Sequence, residues 1–266
     1  MNIFDSHCHL NLNSYAKDLP DVIERARRAE VKAMMIVGIT PDESRQAIEI
    51  AEQFTGCYAS VGIHPHDASA CSEEQLNALK RLARSSAVKA WGETGLDFNR
   101  MHSPKKIQEK WFVRQLEAAD ELDLPLIFHE RDSEGRFLEL LAAHYGNRQC
   151  LGVVHCFSGS VTEMESYLKM GLYIGITGIL TIKTRGKHLR SLVQQIPRDR
   201  MVIETDAPFL TPAPDKNHVR RNEPAFLRSV LLKLTDVLDI DPELLADTLW
   251  ENTCRLYQIS ENARNN

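Results

Sequence analysis

Ile3-Phe4-Asp5-Ser6-His7-Cys8-His9 opens the chain, and Met201-Val202-Ile203-Glu204-Thr205-Asp206-Ala207-Pro208 lies near its other end. Both begin with apolar or β-branched residues, as a strand does, and both place metal-type side chains where that run stops. Side chains two apart on a strand share a face. His7 and His9 therefore point the same way and Cys8 the other, and Glu204 pairs with Asp206 in the same manner. Asp5 has the parity of the two histidines and is expected to receive an imidazole N–H from behind. Two carboxylates pointing inward together are costly to bury unless cations or protons offset them.

Between these stretches the same form recurs. Short runs at 3–7, 33–38, 58–62, 88–92, 125–128, 151–155, 172–175 and 201–204 read as strands. The runs at 58–62, 88–92, 125–128 and 151–155 deliver His64, Glu93, His129 and His155 at or just past their ends. Segments such as 18–30 and 103–122 carry apolar residues three and four apart, the spacing of amphipathic helices. Thr40-Pro41, Ser103-Pro104 and Asp241-Pro242 each set a capping residue before a proline at a helix start. Helices at 222–239 and 242–257 close the chain, and the proline-marked stretch 207–222 reads as a loop over the mouth. Strands alternating with helices imply a parallel sheet, and eight of them favour a closed (β/α)8 barrel. The expectation is one α/β barrel domain over 1–266, with its site at the C-terminal ends of the strands.

The bulk numbers narrow the function. With 266 residues and 43% hydrophobic types, the chain suffices for one large barrel core. A net charge of −5 argues against coating duplex nucleic acid by charge alone, and the chain shows no contiguous charge block. A polyanionic substrate must then be met locally, by metal ions and a few arginines. The six cysteines include no C-x-x-C pair and suit a reducing compartment. The first residues read as a strand rather than a signal peptide, and no apolar run approaches membrane-spanning length. A cytoplasmic enzyme is expected.

Taken singly, each side chain has a plain alternative: a surface histidine for His66, a solvated loop acid for Glu93, a salt-bridged acid for Glu204 or Asp206. The glycines around Glu93 suggest room for a cation and its waters. Their common strand-end position is what scattered polar residues would not produce.

These strings, together with Gly62-Ile63-His64-Pro65-His66, Gly92-Glu93-Thr94-Gly95-Leu96-Asp97, His155-Cys156-Phe157-Ser158-Gly159 and Arg221-Asn222-Glu223-Pro224, resemble the TatD family of metal-dependent hydrolases. The resemblance runs in order from the N-terminus into the last quarter of the chain. It implies a TIM-type (β/α)8 barrel with two divalent metal ions, Mg or Mn for activity and Zn possible on purification. His7, His9, Glu93 and Asp206 would hold one ion; Glu93, His129 and His155 would hold the other, with Glu93 bridging. The implied reaction is phosphodiester hydrolysis, as a 3′-to-5′ exonuclease on the 3′ end of single-stranded DNA or RNA. Asp206 would orient the attacking water and take its proton. His64 would hydrogen-bond a phosphate oxygen, and Arg221, Asn222 and Arg131 would grip a neighbouring phosphate or the terminal sugar. Phe157 or Phe209 could stack a base. Glu130 departs from the family pattern after His129. The alternative is a metal-dependent amide or ester hydrolase of the amidohydrolase type; several such barrels bridge their metals with a carboxylated lysine on the fourth strand, whereas here Lys89 lies toward the opposite end of that strand from Glu93.

Overall fold

The computed structural model describes residues 1–260, and the last six residues of the expected domain lie outside them. Eight parallel strands form one sheet in sequence order. They are β1 (Ile3–Cys8), β2 (Val31–Val37), β3 (Cys57–Val61), β4 (Val88–Asp97), β5 (Leu126–Arg131), β6 (Gly152–Val154), β7 (Tyr173–Ile176) and β8 (Met201–Ile203). Around them lie α1 (Leu19–Arg28), α2 (Pro41–Gln53), α3 (Glu73–Leu82), α4 (Lys105–Leu122), α5 (Arg136–Tyr145), α6 (Val161–Lys169), α7 (Lys187–Leu192), α8 (Leu227–Leu238) and α9 (Pro242–Leu256). This is the TIM-type (β/α)8 barrel, and its β-branched, apolar strands are buried on both faces as helix-covered parallel sheets require.

The ring closes between β8 and β1 in an unusual way. One parallel bridge pairs Cys8 with Ala207, just beyond β8. Below it, side chains join the strands where backbone pairing is missing. Ser6 Oγ donates to the Ile203 carbonyl (3.0 Å), while Thr205 donates to Asp5 through its backbone N–H (2.9 Å) and its hydroxyl (2.6 Å). From outside the ring, the Tyr257 hydroxyl just past α9 donates to the Ser6 carbonyl (2.8 Å).

Helix starts follow the sequence signals at Thr40, which accepts from the Glu43 N–H, and at Asp241, which accepts from Glu243 and Leu244. Ser103 differs. Pro104 takes the capping position of α4, and the Ser103 hydroxyl instead ties the β3 loop, accepting from the Ser69 N–H and donating to the His66 carbonyl. Asn222 is likewise not helical, since α8 begins at Leu227 after a 3-10 turn over Pro224–Phe226. No helix of the described residues is long and apolar enough to cross a membrane.

Candidate metal centre

The strand ends converge on a cavity of about 940 Å³ lined by His9, His64, Glu93, His129, His155 and Asp206 among others. Glu93 lies at its centre and is almost fully buried. It does not follow a strand end, as its sequence position suggested. β4 runs on to Asp97, and Glu93 sits within it. Its flanking glycines serve the neighbouring strand rather than an ion: a Cβ on Gly92 would lie 2.4 Å from the Ile127 carbonyl oxygen, and one on Gly95 would lie 1.9 Å from that of His129. Both have positive φ (141° and 150°), which only glycine adopts readily. They let β4 pass close to β5, and so bring Glu93 to His129.

One carboxylate oxygen of Glu93 faces β1. Its Oε2 lies 3.5 Å from His7 Nε2 and 3.8 Å from His9 Nε2. Those two nitrogens are 3.1 Å apart, and Asp206 Oδ1 is 3.8 and 3.5 Å from them. Donors about 2.0–2.1 Å from one cation stand about 3.0–3.4 Å from each other, so these atoms need only contract slightly to hold an ion. The other oxygen, Oε1, lies 2.8 Å from His129 Nδ1, 3.5 Å from His64 Nε2 and 3.9 Å from His155 Nε2. Among the described residues, His7–His9–Asp206 and His64–His66–His129 are two of the groupings that could hold a metal ion.

Electrostatics match this crowding. Burial pushes Glu93 up, but His64, His155 and His129 outweigh it and hold its pKa well below the usual carboxylate range. Burial also acts against charge on His129 and His155. Asp97 and Glu93 nevertheless raise His129 to about 9, and Glu204 and Glu93 raise His155 to about 10. The acids are thus balanced by imidazolium charge that bound cations would replace. His64 goes the other way: burial and the neighbouring His129 lower it to about 4. Its Nδ1 accepts the His66 backbone N–H (3.1 Å), which leaves the ring proton on Nε2, toward the cavity.

Behind the cluster, Glu204 is fully buried, 2.9 Å from His155 Nδ1, and accepts from the Cys156 N–H (2.6 Å). Asp5 is different from expectation. It reaches no imidazole, because Thr205 and the His7 backbone N–H occupy its oxygens at the strand seam. Asp97, not singled out from the sequence, accepts from both sides, with His66 Nε2 at 2.7 Å and His129 Nε2 at 3.2 Å. Its signal was available: it lies four residues after Glu93 and shares its strand parity.

The expected substrate grips separate. Arg131 lines the cavity with an exposed side chain, joined by Arg100 and Arg185, which the sequence had not marked. Arg221 is not in the cavity lining; it pairs with Asp18 (2.7 Å) and Glu223 (2.9 Å). Asn222 is fully buried, donating to the carbonyls of Thr205 and Phe209. Both hold the loop after β8 in place. Phe157 is buried against Tyr167, whereas Phe209 lines the cavity and is 53% exposed. The Glu130 carboxylate accepts from the N–H and hydroxyl of Ser133 at the cavity wall. Lys89 does not line the cavity. All six cysteines are free.

The chain is similar to known proteins over nearly its whole length. The chain is 40% identical over 260 residues to the 3′-5′ ssDNA/RNA exonuclease TatD of Citrobacter koseri, covering 97% of this chain and 100% of that protein. It is 37% identical to the uncharacterized metal-dependent hydrolase YabD of Bacillus subtilis over 97% of this chain and 100% of that one. The crystal structure of YJJV, a TatD homolog from Escherichia coli, superposes with a TM-score of 0.89 at 28% identity, covering 97% and 98% of the two chains. The profile of the TatD related DNases matches residues 4–258, and the chain belongs to that family.

Proposed function

We propose that this chain is a metal-dependent nuclease that removes nucleotides from the 3′ end of single-stranded DNA or RNA, acting as one barrel domain. The observation that carries the reading is Glu93, whose two oxygens face two separate sets of imidazoles. A carboxylate placed so can bridge two cations, and the 3′-5′ ssDNA/RNA exonuclease activity of the relative from Citrobacter koseri fits such a pair.

His7, His9, Glu93 and Asp206 would hold one divalent ion, and Glu93, His129 and His155 the other, with Mg or Mn the expected ions for turnover. When bound, such a pair supplies charge to offset the phosphate and makes a water acidic enough to attack at neutral pH. The protein's own groups do the rest. Asp206 Oδ1, within 3.8 Å of three imidazoles, orients the attacking water and accepts its proton. His64 presents Nε2–H to a non-bridging phosphate oxygen and stabilises charge as it builds. Glu204 sets the orientation of His155 from behind, and Asp97 that of His129. Arg131 meets a phosphate at the wall, and Phe209 offers a face on which a base stacks.

The test strips the protein of metal, reloads it with Mg, Mn or Zn, and follows mononucleotides released from end-labelled single strands. A 3′-blocking group should stop release and a 5′-blocking group should not. No release with any metal would overturn the reading.

A further inference from the structure

An acidic protein has one long stretch without acid. From Ser166 to Arg198 there is no Asp or Glu, while Lys169, Lys183, Arg185, Lys187, Arg190 and Arg198 are basic, in a chain with 37 acids and 32 Lys and Arg. The middle of that stretch is the loop between β7 and α7, at the cavity mouth, with Arg185 in the cavity wall. The loop is held in shape. Arg190 donates to the carbonyls of Leu180 (2.7 Å), Ile182 (3.0 Å) and Lys183 (2.6 Å), and His188 Nε2 lies 3.0 Å from the Gly159 carbonyl of the β6 loop. With Arg190 and His188 occupied, Lys183, Arg185 and Lys187 remain exposed and form no ion pair among the described residues. On the neighbouring loop Glu163 also lines the cavity, but its carboxylate is engaged by Ser160 at the start of α6.

We propose that Lys183, Arg185 and Lys187 form the track that holds the phosphates of a single nucleic-acid strand where it leaves the catalytic pocket, with Arg185 at the wall and the two lysines beyond it; this rests on the nuclease reading above. The track explains how an acidic chain meets a polyanion: its positive charge is concentrated on one rigid loop rather than spread over a face.

The test uses the full-length protein with Lys183→Gln, Arg185→Gln and Lys187→Gln combined. Arg81→Gln with Arg84→Gln, exposed or half-exposed at the end of α3 and just past it, is the control. Anisotropy of a labelled 12-nucleotide strand on metal-free protein reads binding, and turnover of that strand against a dinucleotide reads length dependence. The triple variant should bind about tenfold more weakly at low salt, with its log–log salt slope reduced by about 2, since each single-strand phosphate contact contributes about 0.7. Its KM should rise more for the 12-mer than for the dinucleotide, and the control should match wild type. Unchanged binding and slope, or equal KM changes for both substrates with an active wild type, would overturn the track alone. A wild type inactive on both substrates with every metal would overturn the nuclease reading and the track with it.

Discussion

Two groups of buried polar residues sit side by side in this barrel, fed by the same stretches of chain. At the β8–β1 seam, Asp5, Ser6, Thr205 and Tyr257 find partners between 2.6 and 3.0 Å. At the mouth, His7 Nε2, His9 Nε2, Glu93 Oε2 and Asp206 Oδ1 crowd one another, and apart from the two imidazoles, 3.1 Å apart, imidazole and carboxylate stand 3.5–3.8 Å from each other, at or beyond hydrogen-bond length. Asp5 and His7 are two residues apart, and Thr205 and Asp206 are adjacent. The difference lies in completeness. The seam is satisfied by the protein itself and holds the ring together. The mouth is arranged around what the protein does not supply. Buried polar groups are normally satisfied, so a cluster that is not marks a place prepared for a ligand.

Five experiments would break or sharpen that contrast. The largest effect is expected at Glu93→Gln, which removes charge from both halves of the mouth. Metal binding by calorimetry should vanish, and nuclease turnover should fall well beyond the roughly 100-fold typical of residues one layer behind a metal. His129→Ala or His155→Ala should each abolish turnover while circular dichroism stays native; activity retained in either would remove the second ion from the reaction. Asp5→Ala should do the reverse, leaving two buried Thr205 donors unpaired and costing about 2–4 kcal/mol in urea unfolding. Metal affinity unchanged and stability lost would separate the seam from the mouth; the opposite result would merge them.

The fourth is a pH dependence. Folded-state pKa values of about 9 for His129 and about 10 for His155 lie above the ordinary 6.5. A raised histidine contributes stability that is fully present below pH 6.5 and lost as pH rises through its folded value. The metal-free protein should therefore lose stability between about pH 6.5 and 10, read from the urea midpoint, and His155→Gln should flatten that decline. The same protons compete with cations. Metal affinity should therefore fall with pH from about 9–10 downward, higher than the value near 6 that ordinary imidazoles would set. The smallest effect belongs to Arg221→Ala. Its partly exposed pairs with Asp18 and Glu223 are worth about 1 kcal/mol together, and turnover should stay near wild type because the side chain is not part of the cavity lining.

Much of this was readable in the chain itself. All eight strands could be placed because apolar runs are local signals, and the ligand-type residues could be assigned to their strands, although Glu93 and His129 lie inside β4 and β5 rather than at their ends. What escaped depended on partners remote in sequence. Asp5 has the parity of His7, yet Thr205, 200 residues away, claims its oxygens. Arg221 and Asn222 stand in a motif that suggests substrate contact, but Asp18 and the carbonyls of Thr205 and Phe209 occupy them. The glycines beside Glu93 were read as space for an ion, whereas the approach of β5 requires them. Periodicity shows which way a side chain points along its own strand. It does not show what the next strand brings against it.

The manner of ring closure bears on how the protein is made. His7 stands on the first strand and His9 just past it, and Asp206 stands just past the last, on opposite banks of the seam. Tyr257, which braces Ser6 from outside, lies 251 residues after it. A ribosome must therefore release the chain through all eight strands before the first pair of histidines can meet its acid. A product that stops before α9 would carry every residue of the cage but not the brace that Tyr257 gives the seam between them.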